Sequence, residues 1–193
     1  MADEDDLRTR AIEVLRRDGY GAVTMKRIAD ELGISVRTLH RYFPAKADIV
    51  WGGIEGALDA LRRALSEADD ALPPWEAISA AILSVFAQDA DAFAVGRARM
   101  RLIATEPELE STRPETYRQW RDETIGFFSR RLGLPADDVV PQAAAAALQS
   151  TIMAALAWWA VQDDETLTPA DTVARALDGL ASVARAEDPE RRS

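Results

Sequence analysis

Cysteine is missing from this chain, and histidine occurs once, as His40. Without thiols there is no disulfide framework, no cysteine nucleophile and no thiolate site for zinc or an iron–sulfur cluster. One imidazole cannot build a two-histidine metal site, so no metal or other cofactor is expected. The sequence also lacks G-x-S-x-G, a P-loop and H-E-x-x-H, and no carboxylate pair stands out among its acids. An enzyme is therefore the weakest reading. Alternating β-branched runs between turn residues are absent, so no strand is expected. A basic leader is absent too, since residues 1–6 are acidic, the reverse of a signal peptide. The longest weakly polar stretch, 141–161, contains Gln142, Gln149, Ser150 and Thr151 and reads as a buried helix rather than a membrane span. A cytoplasmic placement with no membrane partner is expected, and a thiol-free chain is compatible with a reducing cytosol.

What remains is a chain of 193 residues, 48 % of them hydrophobic, enough for one domain or two small ones with a buried core. Its net charge of −10 is unevenly spread. Residues 7–50 hold nine bases against five acids, whereas residues 51–193 hold 14 bases against 24 acids. Between Ser35 and Ala47 there is no acid at all. A basic island in an acidic chain points to a local nucleic-acid contact, although chance placement of charge gives the same picture.

The periodicity is helical throughout and predicts nine helices. Asp5 and Asp6 are positioned to cap a first helix at about 6–18, with Leu7, Ala11, Val14 and Leu15 on one face. Thr24 caps a second at about 25–32, Gly33 ends it, and Ser35 caps a third at about 36–42. A fourth, about 45–70, is on the order of 40 Å long at 1.5 Å per residue. The fifth begins at Pro73-Pro74 and runs to about Gln88, and the sixth covers about 91–104. The seventh covers about 112–132 and the eighth about 138–162. The ninth starts at Thr168-Pro169 and ends near Ala186, before a charged, frayed tail at 187–193.

Residues 25–43 have the form of a helix-turn-helix. Two steeply crossing helices need a small residue at their contact, which Ala29 supplies, and the turn needs a left-handed position, which Gly33 supplies. Ile28, Leu32, Ile34 and Leu39 close the inner faces. Ser35, Val36, Arg37, Thr38, His40 and Arg41 are left on the outside of the third helix, small or hydrogen-bonding and free of negative charge. A helix that enters the DNA major groove needs such a face.

Gly19-Tyr20, Thr24, Ile28-Ala29, Gly33-Ile34-Ser35, Thr38-Leu39 and Tyr42-Phe43-Pro44-x-Lys46 recur in the order found in the TetR/AcrR transcriptional regulators. The chain resembles that family over roughly residues 6–50. The resemblance implies an all-α homodimer with an N-terminal three-helix DNA-binding domain, placed here at 1–46. A C-terminal domain for effector binding and dimerisation follows at 47–193. The partners implied are a palindromic double-stranded DNA operator, a second copy of the chain and a small-molecule effector that releases the DNA. By position, Thr24, Tyr42 and Lys46 would hold phosphates, Thr24 from a helix N-terminus. Val36, Arg37, Thr38 and Arg41 would lie at base edges, with Arg37 suited to a bidentate contact with guanine. His40 stands where the family usually has Tyr, and the acidic N-terminal arm departs from the basic arm of many members.

Beyond residue 50 the pattern is less specific. Arg97–Leu102, Tyr117–Trp120 and Trp51-Gly52 resemble members near the mycofactocin-associated regulators. Arg97 and Arg101 share a helical face and suit either an anionic effector or pairing with nearby acids. Met100, Ile103, Trp120, Thr124, Gln149, Ile152 and Met153 are candidates for a pocket lining, which favours an apolar or amphipathic effector such as an acyl-CoA. The same stripe of residues also suits a plain core. Ala143–Ala147, Trp158 and Trp159, with Val173, Ala176, Leu177, Leu180 and Val183, suit either a two-fold four-helix interface or burial within one chain. A dimeric DNA-binding protein with no effector is the alternative to a ligand-responsive repressor.

Overall fold

In the computed structural model the described residues are 3–52, 55–86, 90–110, 112, 115–164 and 166–186. Every regular element among them is a helix: α1 Glu4–Asp18, α2 Met25–Leu32, α3 Val36–Tyr42, α4 Lys46–Trp51, α5 Glu55–Ser66, α6 Pro74–Phe86, α7 Ala90–Thr105, α8 Pro107–Glu110, α9 Glu115–Leu132, α10 Val139–Ala160 and α11 Pro169–Ala186. The expected tail at 187–193 and the end of the fifth expected helix at 87–88 lie outside the described residues.

Eleven helices replace the nine expected, for two reasons. Pro107, suited to a first helical turn, opens the short α8 after Glu106. The long helix expected at 45–70 is interrupted, α4 stopping at Trp51 with Gly52 extended at φ −69°, ψ 164°. The cause lies forty residues upstream. The Arg8 guanidinium donates through Nη1 to the carbonyls of Asp48 at 2.7 Å and Ile49 at 3.3 Å, satisfying the last turn of α4. It also occupies the space beside Gly52, where a Cβ would fall 2.0 Å from Arg8 Nη1.

The first helix starts two residues earlier than expected. Asp3 is the N-cap, its carboxylate accepting from Asp5 N, and Glu4, Asp5 and Asp6 form the first turn, where acids favour the helix dipole. The acidic arm is therefore part of α1.

The chain divides into two compact units, one containing the chain up to Ala57 together with Asp89–Thr116, the other Leu58–Gln88 together with Tyr117–Ser193. The boundary expected after residue 46 does not match this division, because α4, α7 and α8 belong to the first unit. Leu102 and Leu109 bury themselves in the same core as Leu7, Ile12, Leu15, Ile28, Leu39, Phe43 and Ile49. Each such large apolar side chain contributes about 1.5–3 kcal/mol by leaving water. Trp51 closes this core and donates from Nε1 to Thr112 Oγ1 at 3.3 Å.

The second unit is built from α6, α9, α10, α11 and most of α5. Ile78 and Ile82 of α6, Phe127 and Phe128 of α9, Leu148 and Ile152 of α10, and Val173 and Leu177 of α11 are buried. Asp138 caps α10 and Thr168 caps α11, the latter with Pro169 in the first turn as expected. The α10 helix is long and apolar enough by length and composition to cross a membrane. Eight of its residues are buried in the structure, including Trp159.

Candidate nucleic-acid interface

The helix-turn-helix rests on three local devices, each legible in the residues that form it. Thr24 Oγ1 accepts from Arg27 N at 3.2 Å and starts α2. Gly33 takes the left-handed φ of 72°, and Ile34 N donates back to Ala29 O at 3.0 Å, closing the turn. Ser35 Oγ accepts from Thr38 N at 3.0 Å and starts α3. Ala29 and Ile28 are fully enclosed between the helices, as is Leu39.

The cap hydroxyls keep a function toward the outside. A hydroxyl that accepts a backbone N–H still has its own proton to donate. The Thr24 hydroxyl proton is thus available at the exposed start of α2. Ser35 Oγ and Thr38 Oγ1 share one hydrogen bond at 2.8 Å, which uses one of their two protons and leaves the other.

The charges of the first unit sort themselves clearly. Six of the nine bases at 7–50 sit in ion pairs: Arg8 with Glu4, Arg10 with Asp6, Arg16 with Glu13, Lys26 with Asp30, and both Arg17 and Arg27 with Asp18 and Glu31. Hydrogen bonding from Arg17 holds the Asp18 carboxyl below its ordinary pKa, and Arg16 does the same for Glu13. Lys46 has no carboxylate among the described residues. Its ammonium donates to the carbonyls of Tyr20 at 2.6 Å and Val23 at 3.2 Å, and stands 4.1 Å from the Tyr20 ring centroid. That leaves Arg37 and Arg41, both exposed on α3 and without a carboxylate partner among the described residues. Arg41 lies 5.1 Å from the Tyr42 ring centroid, and its guanidinium reaches the Tyr42 hydroxyl at 3.5 Å. His40 is exposed beside them, its Nδ1 3.0 Å from Pro44 O. At spacings of three and four residues, Arg37, His40 and Arg41 share one helix face.

The remaining expected DNA contacts also have partners within the first unit. Val36 and Tyr42 are half-buried and pack against the core of the first unit, so each offers only part of its surface outward. Lys46, expected to hold phosphate, ties the start of α4 to the α1–α2 turn. Arg8 was missed by sequence reasoning: it is buried, lies 4.8 Å from the Phe43 ring centroid, and holds α1, α4 and the end of α3 together. Nothing local in its sequence marks it, since an arginine at i+4 from Glu4 reads as a surface pair.

The residues expected to line a pocket fall in both units. Met100 and Ile103 lie on α7, and Ile103 packs against the core of the first unit. Trp120 and Thr124 lie on α9, and Gln149, Ile152 and Met153 on α10. Within the second unit Gln149 Nε2 donates to Tyr117 O at 2.9 Å, joining α10 to α9. Thr124 is buried and its hydroxyl donates to Arg121 O at 2.8 Å. Arg97 and Arg101 both have interactions of their own, so neither is a free cation. Trp159 is buried and donates from Nε1 to Leu167 O at 2.8 Å, which makes it part of the unit's own core. Trp158, Val161 and Val183 are exposed, and the Arg175 guanidinium lies 4.8 Å from the Trp158 ring centroid.

Comparison with known proteins agrees with this geometry. The family model for bacterial regulatory proteins of the tetR family matches residues 7–50, and that for the MftR C-terminal domain matches residues 72–185. A Mycobacterium tuberculosis protein described as the mycofactocin biosynthesis transcriptional regulator MftR is 32 % identical over 175 residues, covering 88 % of each chain. Among solved structures, NalD of Pseudomonas aeruginosa, the secondary repressor of the MexAB-OprM multidrug efflux pump, has a TM-score of 0.64 at 14 % identity, covering 93 % of this chain and 96 % of that one. FadR of Bacillus subtilis in complex with stearoyl-CoA has a TM-score of 0.63 at 18 % identity, covering 93 % of this chain and 98 % of that one. At these identities the two structures speak for the fold. The match running through both parts of the chain, over a helix-turn-helix at its start, places it in the TetR family of bacterial transcriptional regulators, with an MftR-type C-terminal domain.

Proposed function

We infer that this protein is a cytoplasmic, ligand-responsive repressor that binds a palindromic operator as a homodimer. The observation that carries the reading is the isolation of Arg37, His40 and Arg41 as the exposed face of α3, while the other bases of residues 7–50 are engaged internally. A helix presenting those groups, with the Thr24 and Ser35 hydroxyls at its flanks, suits the major groove and the adjoining phosphates. Arg37 is assigned to a base edge, Arg41 to a phosphate, and Val36, Thr38, Tyr42 and Lys46 to supporting positions around them.

The effector reading rests on relatives. FadR, which shares the fold, is described in complex with stearoyl-CoA, and within the second unit Trp120, Ile152 and Met153 are apolar side chains of the kind an acyl chain needs. An apolar or amphipathic effector, an acyl-CoA among them, would favour a dimer state whose recognition helices no longer match successive major grooves. The alternative of a dimeric DNA-binding protein with no effector is favoured by Gln149 and Thr124, whose donors are already engaged within the unit.

Selection of binding sites from a random DNA library tests the operator. The expected product is an inverted repeat with half-sites about 34 Å apart, or a multiple of one helical turn. Arg37→Ala should weaken binding to that sequence by about 1–3 kcal/mol and relax one base position per half-site. Recovery of no motif, with binding that depends on salt alone, would overturn the reading. Adding stearoyl-CoA to the complex tests the acyl-CoA form of the reading, because release supports it and unchanged affinity at saturation removes that ligand.

A further inference from the structure

The single histidine sits on the recognition face with one ring nitrogen held against a main-chain carbonyl. His40 Nδ1 lies 3.0 Å from the carbonyl oxygen of Pro44. A carbonyl oxygen only accepts, so the ring nitrogen facing it carries the proton. Neutral imidazole has one N–H, which places a bare lone pair on Nε2. The side chain is exposed, on the helix face it shares with Arg37 and Arg41.

The lone pair selects its partner by chemistry. Phosphate oxygens offer no proton, so neutral Nε2 cannot bond to them. Guanine N7 and O6 and thymine O4 are acceptors as well. The donors on the major-groove floor are the amino groups of cytosine, at N4, and adenine, at N6. The two arginines beside His40 are donors only and read acceptors, so the face combines both polarities.

We propose that His40 is a specificity residue that accepts a hydrogen bond at Nε2 from the amino group of a cytosine or adenine, its tautomer held by the Pro44 carbonyl. This rests on the reading that α3 enters the major groove.

The test uses the full-length dimer and the operator selected from a random library at pH 8. Because the chain has one histidine, long-range 15N–1H correlation spectra of labelled protein report its tautomer without assignment. A pyrrole-type Nδ1 and a pyridine-type Nε2 are expected, and the opposite tautomer overturns the proposal. Each base of a half-site is then replaced in turn. One position should prefer cytosine or adenine over guanine or thymine by about tenfold in the wild type, and which of the two it prefers names the amino group. His40→Asn places an amide donor where Nδ1 stood, keeps the Pro44 contact and has no Nε2 acceptor. It should reduce that preference to less than about twofold, with an unchanged melting temperature, and His40→Ala should do the same. If both variants keep the full wild-type profile, His40 reads no base and the proposal fails while the operator reading stands. If the wild type selects no sequence, the operator reading fails and the proposal with it.

Discussion

Lys46 and Arg41 are cations five positions apart, yet their surroundings give them different work. Lys46 donates to two main-chain carbonyls and faces an aromatic ring, whereas Arg41 has no carboxylate partner among the described residues. Lys46→Ala should cost about 1.5–3 kcal/mol of stability, the worth of hydrogen bonds from a charged donor. Arg41→Ala should leave stability unchanged and lower the slope of log K against log salt by about 0.9 for each phosphate the variant no longer neutralises. Urea unfolding and binding titrations over a salt series check both, and exchanged effects would reverse the assignment. Tyr20 lies beneath Lys46. Burial, with Glu108, Glu106 and Asp48 adding to it, pushes its hydroxyl from an ordinary 10.0 up to about 12. The native state then holds this proton more tightly than the unfolded chain. Its contribution is complete below pH 10 and is lost as pH rises from 10 toward 12. The stability lost between pH 8 and pH 11 should be about 1 kcal/mol smaller in Tyr20→Phe than in the wild type. Equal losses in urea titrations at the two pH values would remove Tyr20 as the cause.

The short fourth helix shows what sets an element's length. Gly52 alone does not break a helix; Arg8 does, by capping the carbonyls of Asp48 and Ile49 and standing where a Cβ of residue 52 would be. Gly52→Ala should displace the guanidinium, and Arg8→Ala should remove it, each destabilising by about 1–3 kcal/mol. The double variant should cost less than the sum of the two, since both changes break the same hydrogen bonds. Strict additivity in thermal or urea unfolding would separate the two residues. Local signals are legible in the sequence: Thr24, Gly33 and Ser35 act on neighbours within five residues, and each performs the expected task in the turn. The apolar face of α1 is legible for the same reason. The break after Trp51 is not, because its cause lies on another helix. The pairing of Arg17 and Arg27 with Asp18 and Glu31 is equally hidden, since a count of charges does not say which ones meet. The candidate face is thus readable as a set of residue types, and its sharpening to Arg37, His40 and Arg41 requires the fold.

At the level of the whole molecule, the homodimer we propose would bury Trp158 near the end of α10 and Val183 on α11, both exposed in the single chain. Trp158→Glu should convert the dimer to monomers and abolish operator binding, because one half-site alone holds a monomer too weakly. Native mass spectrometry reads the change directly. A dimer that persists would place the interface elsewhere, and a discrete extra mass on the wild-type dimer would report a retained effector. The ion pairs that neutralise most bases around α3 also bear on how the regulator finds its site. Affinity for arbitrary DNA scales with the number of phosphates neutralised, and here few cations are available in a chain of net charge −10. Residence on random sequence should therefore be brief and sliding short. A small number of copies would stay largely unsequestered by the rest of the chromosome, reaching the operator by repeated three-dimensional encounters rather than by long scans along the duplex.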